Sequence, residues 1–210
     1  MDASATSNRR EERMRQTAAA LTNACRRLTA DRGLAGFTVD EVCAEVDISR
    51  RTFFNYFPSK DDAVLGVDSD EEFEALTRAF LEKGASGWGG VVDDLVDLVV
   101  AHFENATIDL ATHLEFMSAL EREPRLLARF MGITRERDRQ VAAFVAQREG
   151  VEPTDARALA AVALLSTLLR QASEHLFDPA DSREFADIIT DLLAAFCAVT
   201  PNTAPRKAAS

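Results

Sequence analysis

The thirteen residues Ile48–Lys60, ISRRTFFNYFPSK, hold two arginines, one lysine and four aromatic side chains without a single carboxylate. Cations at this density can neutralise phosphates or donate to the O6 and N7 acceptors of guanine, and a carboxylate among them would be repelled by the same partner. A solvated helix face mixes both signs of charge. A core helix does not open on Arg-Arg. Nucleic acid is therefore the first candidate partner. Nothing else in the chain offers comparable chemistry: there is no Gly-x-Ser-x-Gly elbow, phosphate loop or paired His-x-x-x-His set. His102, His113 and His175 are too far apart for a metal motif, so no metal or cofactor is expected. Cys25, Cys43 and Cys197 are odd in number and widely spaced, which fits small apolar residues in a reducing cytoplasm rather than a disulfide framework.

The elements that must position the basic stretch are helical throughout. Ala18, Leu21, Ala24, Cys25 and Leu28 recur at three- and four-residue spacing, predicting a helix from about Arg10 to Asp31, with Gly33 just past its end. Thr38 and Glu41 form a capping-box pattern that opens a short helix ending near Val46. Ser49 caps a third helix, which Pro58 stops, and Ser59 with Asp61 and Asp62 opens a fourth. Two short helices separated by Asp-Ile-Ser describe a helix-turn-helix, with Val39, Val42, Val46, Ile48 and Phe53 as its small core. Arg50 and Arg51 then fall at the exposed start of the second helix, the end that enters a major groove in such motifs.

Net charge agrees once it is divided along the chain. The formal charge of -11 lies entirely beyond residue 66: residues 1–66 carry 10 basic and 10 acidic side chains, residues 67–210 carry 14 and 25. Residues 9–32 add seven arginines against three carboxylates. A nucleic-acid-facing head on an acidic body is the organisation this implies.

The stretch GFTVDEVCAEVDISRRTFFNYFPSKDDAV closely resembles the DNA-binding head of the TetR family of one-component transcriptional regulators. Its carriers are the Thr-Val helix start, Ile-Ser before the recognition helix, Thr-Phe-Phe-x-Tyr-Phe and the following x-Ser-Lys. Asp47 stands where the family usually has Gly in the turn, and Phe54 where Tyr is frequent; Asp tolerates the left-handed region better than most residues. The resemblance implies that Thr38, Ser49, Tyr56 and Lys60 hold the DNA backbone. It also implies that Arg50, Arg51, Thr52 and Asn55 face base edges or nearby phosphates, with Phe54 against a thymine methyl.

Beyond the head, the expectation is an all-α protein: a three-helix DNA-binding head over residues 1–66, a larger helical ligand-binding and dimerisation body over 67–200, and a disordered tail over 201–210. Gly84–Gly90 reads as a flexible break, and Pro124 as an interruption between Ile108–Leu120 and the following apolar helix. The last two long helices, from Pro153 and from Asp181, are apolar on more than one face and need a second partner. In the family such a pair forms the homodimer, which suits a palindromic operator read in successive major grooves. The resemblance further implies a small hydrophobic effector, fatty-acyl or lipid-like, with Phe103, Met117, Phe144, Leu165 and Leu169 as apolar candidates and His113 as a polar handle. The N-terminus has no apolar h-region and no stretch approaches a membrane span, so a cytoplasmic, membrane-free regulator and not an enzyme is expected. The rival reading is an all-helical small-molecule-binding protein or enzyme that uses the head as an adaptor.

Overall fold

The computed structural model describes residues 3–66, 70–105, 110–178 and 180–200. Among these residues the regular structure is helical: α1 (Ala3–Arg32), a 3-10 turn (Leu34–Gly36), α2 (Val39–Val46), α3 (Arg50–Tyr56) and α4 (Lys60–Leu65) come first. There follow α5 (Asp70–Glu82), α6 (Trp88–Asn105), α7 (Leu110–Arg122), α8 (Pro124–Glu149), α9 (Ala156–Leu176) and α10 (Phe185–Val199). The expected tail, 201–210, lies outside the described residues, as does the head–body junction at 67–69.

The helix ends follow local chemistry. α1 begins well before Arg10, since no glycine or proline interrupts the chain ahead of Gly33. Gly33 closes it at φ 75°, its N–H donating to Thr29 O at 2.8 Å. A Cβ there would sit 3.0 Å from a Glu123 carboxylate oxygen, so the position needs glycine for its backbone and for the approach. Pro124 marks the break between α7 and α8, as expected, and itself opens α8, because at the first helical position its missing N–H is not needed. The helix then runs for 26 residues. Likewise Gly89 and Gly90 lie inside α6, so the glycine-rich break is shorter than its composition suggests.

The chain divides into two compact units that do not follow chain order: residues 1–72 with 108–135, and residues 73–107 with 136–210. In the first, α1 packs on α2, α4 and α7 around Leu21, Cys25, Leu28, Val42, Phe53, Val64 and Leu126. Cys25 and Cys43 are buried in this core, and burial pushes the Cys25 thiol up to about 12, so it stays protonated and behaves as a small apolar side chain. In the second, α6, α9 and α10 pack together around Val91, Leu95, Val162, Leu165, Ile188 and Ile189.

The second unit also buries a charge cluster that no local pattern announces. Arg148 is all but buried, with its guanidinium 4.0 Å from the centroid of Phe80. Its Nη2 donates to Ser86 Oγ at 2.8 Å and its Nε to Glu149 at 3.1 Å. Its Nη1 lies 3.0 Å from Asp94 Oδ2 but off the line of a hydrogen bond. Glu149 in turn accepts from the backbone N–H groups of Ser86 and Gly87, and Lys83 donates to Asp94 at 3.0 Å. Burial alone would raise the Asp94 carboxyl, but the bonds from Lys83 and Ser86, with the Arg148 guanidinium close by, outweigh it and hold the group below the ordinary range. The cluster ties the end of α8 to the loop before α6. Removing one partner of such a set strands the others, so Arg148→Ala is expected to cost about 3–5 kcal/mol in urea unfolding; a loss under about 1 kcal/mol would mean that water replaces the guanidinium.

Candidate nucleic-acid interface

Three cap residues set the helix-turn-helix. Thr38 Oγ1 accepts from Glu41 N at 3.2 Å while the Glu41 carboxylate accepts from Thr38 N at 2.7 Å, the reciprocal box expected from their spacing. The Thr38 N–H, followed by its hydroxyl and Arg32, holds the Glu41 carboxyl below its usual range. Asp47 adopts the left-handed conformation, φ 56° and ψ 49°, and lets Ile48 N reach Cys43 O at 2.9 Å. The Asp47 backbone thus takes a left-handed conformation that glycine adopts more easily, at a small conformational cost. Ser49 Oγ accepts from Thr52 N at 3.0 Å and opens α3.

With α3 only seven residues long, burial decides which side chains remain available. Phe53 is fully buried and Phe57 nearly so, the two rings 6.2 Å apart. Truncating a buried phenylalanine costs roughly 3–5 kcal/mol, so these two belong to the core and not to a partner surface. Turning Phe53 inward turns Arg50, Arg51, Phe54 and Asn55 outward. Phe54 is 45% exposed and packs edge-on against Phe53 at 5.3 Å. Thr38 and Ser49 are exposed at the starts of α2 and α3, and Thr52, Tyr56 and Lys60 are half-buried.

Most cations around this surface are already engaged. Arg27 pairs with Glu45 at 2.5 Å, Arg32 with Glu41 at 3.2 Å and Arg50 with Asp40 at 3.1 Å. Arg26 donates to the Val64 and Leu65 carbonyls that end α4 and stacks on Phe116, 4.4 Å from its centroid. Arg51 makes no ion pair or hydrogen bond among the described residues. Lys60, expected from the resemblance to hold DNA backbone, directs its ammonium inward: it donates to Leu34 O and, at 2.7 Å, to Phe37 O, and lies 4.4 Å from the Phe37 centroid. Those bonds tie the start of α4 to the turn ahead of α2.

Contacts from much later in the chain complete this unit. Glu123 accepts from Leu34 N at 2.8 Å, Arg122 donates to Ala30 O at 3.3 Å, and Arg129 pairs with Asp62 in the first turn of α4. No sequence spacing could have pointed to them, since Leu34 and Glu123 are 89 residues apart.

The candidate effector residues divide between the two units. Phe103, Leu165 and Leu169 belong to the core of the second, where Phe103 stacks on Phe185 at 4.0 Å. Phe144 lies in the same unit but lines a groove of about 530 Å³ with Phe73, Thr77, Arg78 and Leu81. There it is 5.8 Å from Phe73, whose other neighbour is the Arg137 guanidinium at 3.7 Å. His113 and Met117 sit on α7 in the first unit. Burial, reinforced by the charge of Arg26, holds His113 below its ordinary pKa, and Met117 is exposed. His175 faces Asp181 at 3.3 Å. No cluster of three His, Cys, Asp or Glu able to hold a metal occurs among the described residues, and no helix among them is long and apolar enough to cross a membrane.

Lys60 provides a direct test of this geometry. Lys60→Met keeps the aliphatic stem but leaves two half-buried carbonyls without their donor, which should destabilise the protein by about 1–3 kcal/mol. Chemical denaturation measures it; unchanged stability would show that these carbonyls do not depend on the Lys60 ammonium.

Comparison with known proteins agrees with this arrangement. Residues 21–66 match the model of the bacterial regulatory proteins of the tetR family, and residues 90–201, more than half of the chain, match the MftR C-terminal domain model. The HTH-type transcriptional regulator TcmR of Streptomyces glaucescens is 30% identical over 150 residues, covering 70% of this chain and 66% of that protein, just under two thirds of its length. The capping box, the turn at Asp47 and the short α3 lie within the first matched segment, and α6 from Gly90 through α10 within the second. The chain belongs to the TetR family of DNA-binding transcriptional regulators.

Proposed function

We propose that the chain is a homodimeric repressor that binds a palindromic operator and is released by a small hydrophobic effector. Residues 1–66 serve as the DNA-binding module and residues 67–200 as the ligand-binding and dimerisation module. The observation that carries the reading is the outward face of α3. Arg51, Asn55 and Phe54 are exposed together, flanked by the Thr38 and Ser49 hydroxyls, and the Arg51 guanidinium is unengaged among the described residues. Such a face offers charge, hydrogen-bond donors and one apolar group to a major groove.

Dimerisation is supported by the apolar face that α9 and α10 leave uncovered. Phe196 and Val199 are exposed there. A groove of about 590 Å³ runs between Ala160, Ala163, Leu164 and Leu168 on one helix and Leu192 and Phe196 on the other. Exposed apolar surface of this kind marks an interface, and small residues on α9 let a partner helix approach closely. Two copies joined through this face would present two recognition helices to the halves of a palindrome.

For the effector, the groove beside Phe144 supplies an apolar floor of Phe73, Leu81 and Phe144, with Arg78 and Glu82 at its edge. That lining suits an elongated hydrophobic molecule with a polar end, in keeping with a fatty-acyl or lipid-like ligand. Coupling is reciprocal, so an effector that weakens operator binding must be bound less tightly by the operator complex.

Selection of duplexes from a randomised pool tests the DNA reading: an enriched inverted repeat bound by two chains is expected, and no enrichment would overturn it. Against the enriched duplex, Arg51→Ala should weaken binding by about 1–3 kcal/mol with folding intact. The double substitution Leu164→Glu with Phe196→Glu should yield monomers in sedimentation and abolish tight operator binding; a dimer persisting in that variant would move the interface elsewhere. Mass spectrometry of the purified chain is expected to find a bound amphipathic lipid that Phe144→Trp excludes.

A further inference from the structure

We propose, resting on the DNA-binding reading above, that Asp40 is a specificity-determining residue: it holds Arg50 for bidentate recognition of a guanine and keeps it off the phosphates. Asp40 lies in the first turn of α2, and its two carboxylate oxygens both accept from one terminal nitrogen of Arg50, Nη1, at 3.1 and 3.4 Å. On its other side, the Arg50 guanidinium carbon is 5.6 Å from the centroid of Phe54. Nε and Nη2 make no hydrogen bond among the described residues. One corner of the fork is thus anchored while the edge carrying two parallel N–H donors stays open.

That open edge matches guanine, whose O6 and N7 present two acceptors side by side in the major groove. A phosphate can accept the fork as well, but it also tolerates single N–H bonds at many angles, whereas two acceptors on a base edge require the guanidinium in one plane. Anchoring by Asp40 and Phe54 supplies that plane before DNA arrives, so less side-chain freedom is lost on binding. The carboxylate also acts against generic binding. If Arg50 left for a phosphate, Asp40 would remain unpaired at the face of a polyanion. Both side chains are largely exposed, 61% and 67%, so the pair contributes little to folding and its removal leaves the helix-turn-helix intact. Arg51, one residue on, has no such carboxylate among the described residues, which separates the two arginines: Arg50 is held for a base and Arg51 is not held.

The test uses duplexes selected from a randomised pool by the wild-type chain, together with one unrelated random-sequence duplex of the same length. Asp40→Asn and Arg50→Ala should lose their preference at the same G·C pair of each half-site, discrimination there falling roughly 5- to 150-fold. Asp40→Asn should also bind the random-sequence duplex several-fold tighter than wild type. Arg50→Lys keeps the charge without the fork, and should lose the same base pair while retaining random-duplex affinity. Asp40→Asn keeping full preference at every position, or losing it at a different pair from Arg50→Ala, overturns the proposal while leaving DNA binding in place. A wild-type chain that enriches no sequence overturns the DNA reading and this role with it.

Discussion

The buried ring of Phe53 sets the rotational phase of a helix only seven residues long, and the chemistry of the surface depends on that phase. In so short a helix, intrinsic propensity contributes little and tertiary packing supplies the stability. Phe53 and Phe57 face the core formed with α1, α2 and α4, so Arg50, Arg51, Phe54 and Asn55 must face away from it. A helix rotated by half a turn would bury two arginines without partners and expose two phenylalanines. That alternative is excluded by the cost of desolvating unpaired charge.

Around this helix the protein manages a positive surface by pairing it internally. Arg27, Arg32 and Arg50 each meet a carboxylate, and Arg26 and Lys60 satisfy backbone carbonyls at the end of α4 and ahead of α2. Exposed pairs of this kind contribute little to stability, so Arg27 and Arg32 remain available for exchange when a polyanion arrives. The half-buried bonds of Lys60 are different in kind. They join two elements of the head, and giving them up would loosen the turn that presents Thr38.

The chain passes between the two compact units three times, near residues 72, 107 and 135, and α8 contributes to both. Within the first unit, α7 and the start of α8 reach the DNA-binding helices through Glu123 to Leu34, Arg122 to Ala30 and Arg129 to Asp62. The start of α8 is thereby bonded to the turn ahead of α2 and to the first turn of α4 within that unit.

From the sequence alone, the all-helical class, the capping box at Thr38, the left-handed turn at Asp47, the start of α3 at Ser49 and the division of its phenylalanines were legible. Each depends on residues within four or five positions of one another, where spacing and propensity decide the outcome. The family itself was legible for the same reason, since its signature is a local string. What spacing could not reveal were pairings across the chain. The inward turn of Lys60, the grip of Asp40 on Arg50, the contacts of Glu123 with the head and the buried Arg148 cluster all join residues 8 to 89 positions apart, apart from the adjacent Arg148–Glu149 pair. Composition misjudged one boundary as well, because Gly89 and Gly90 lie inside α6 while Pro124 stands at the expected break between α7 and α8. The effector candidates, chosen for being apolar on helices, were divided between two cores, since apolar periodicity reports that a face is buried and not what it is buried against. Local strings determined which residues this protein offers to a partner; only tertiary packing decided which of their charges are already taken, because an ion pair is settled by distance in space and not by distance along the chain.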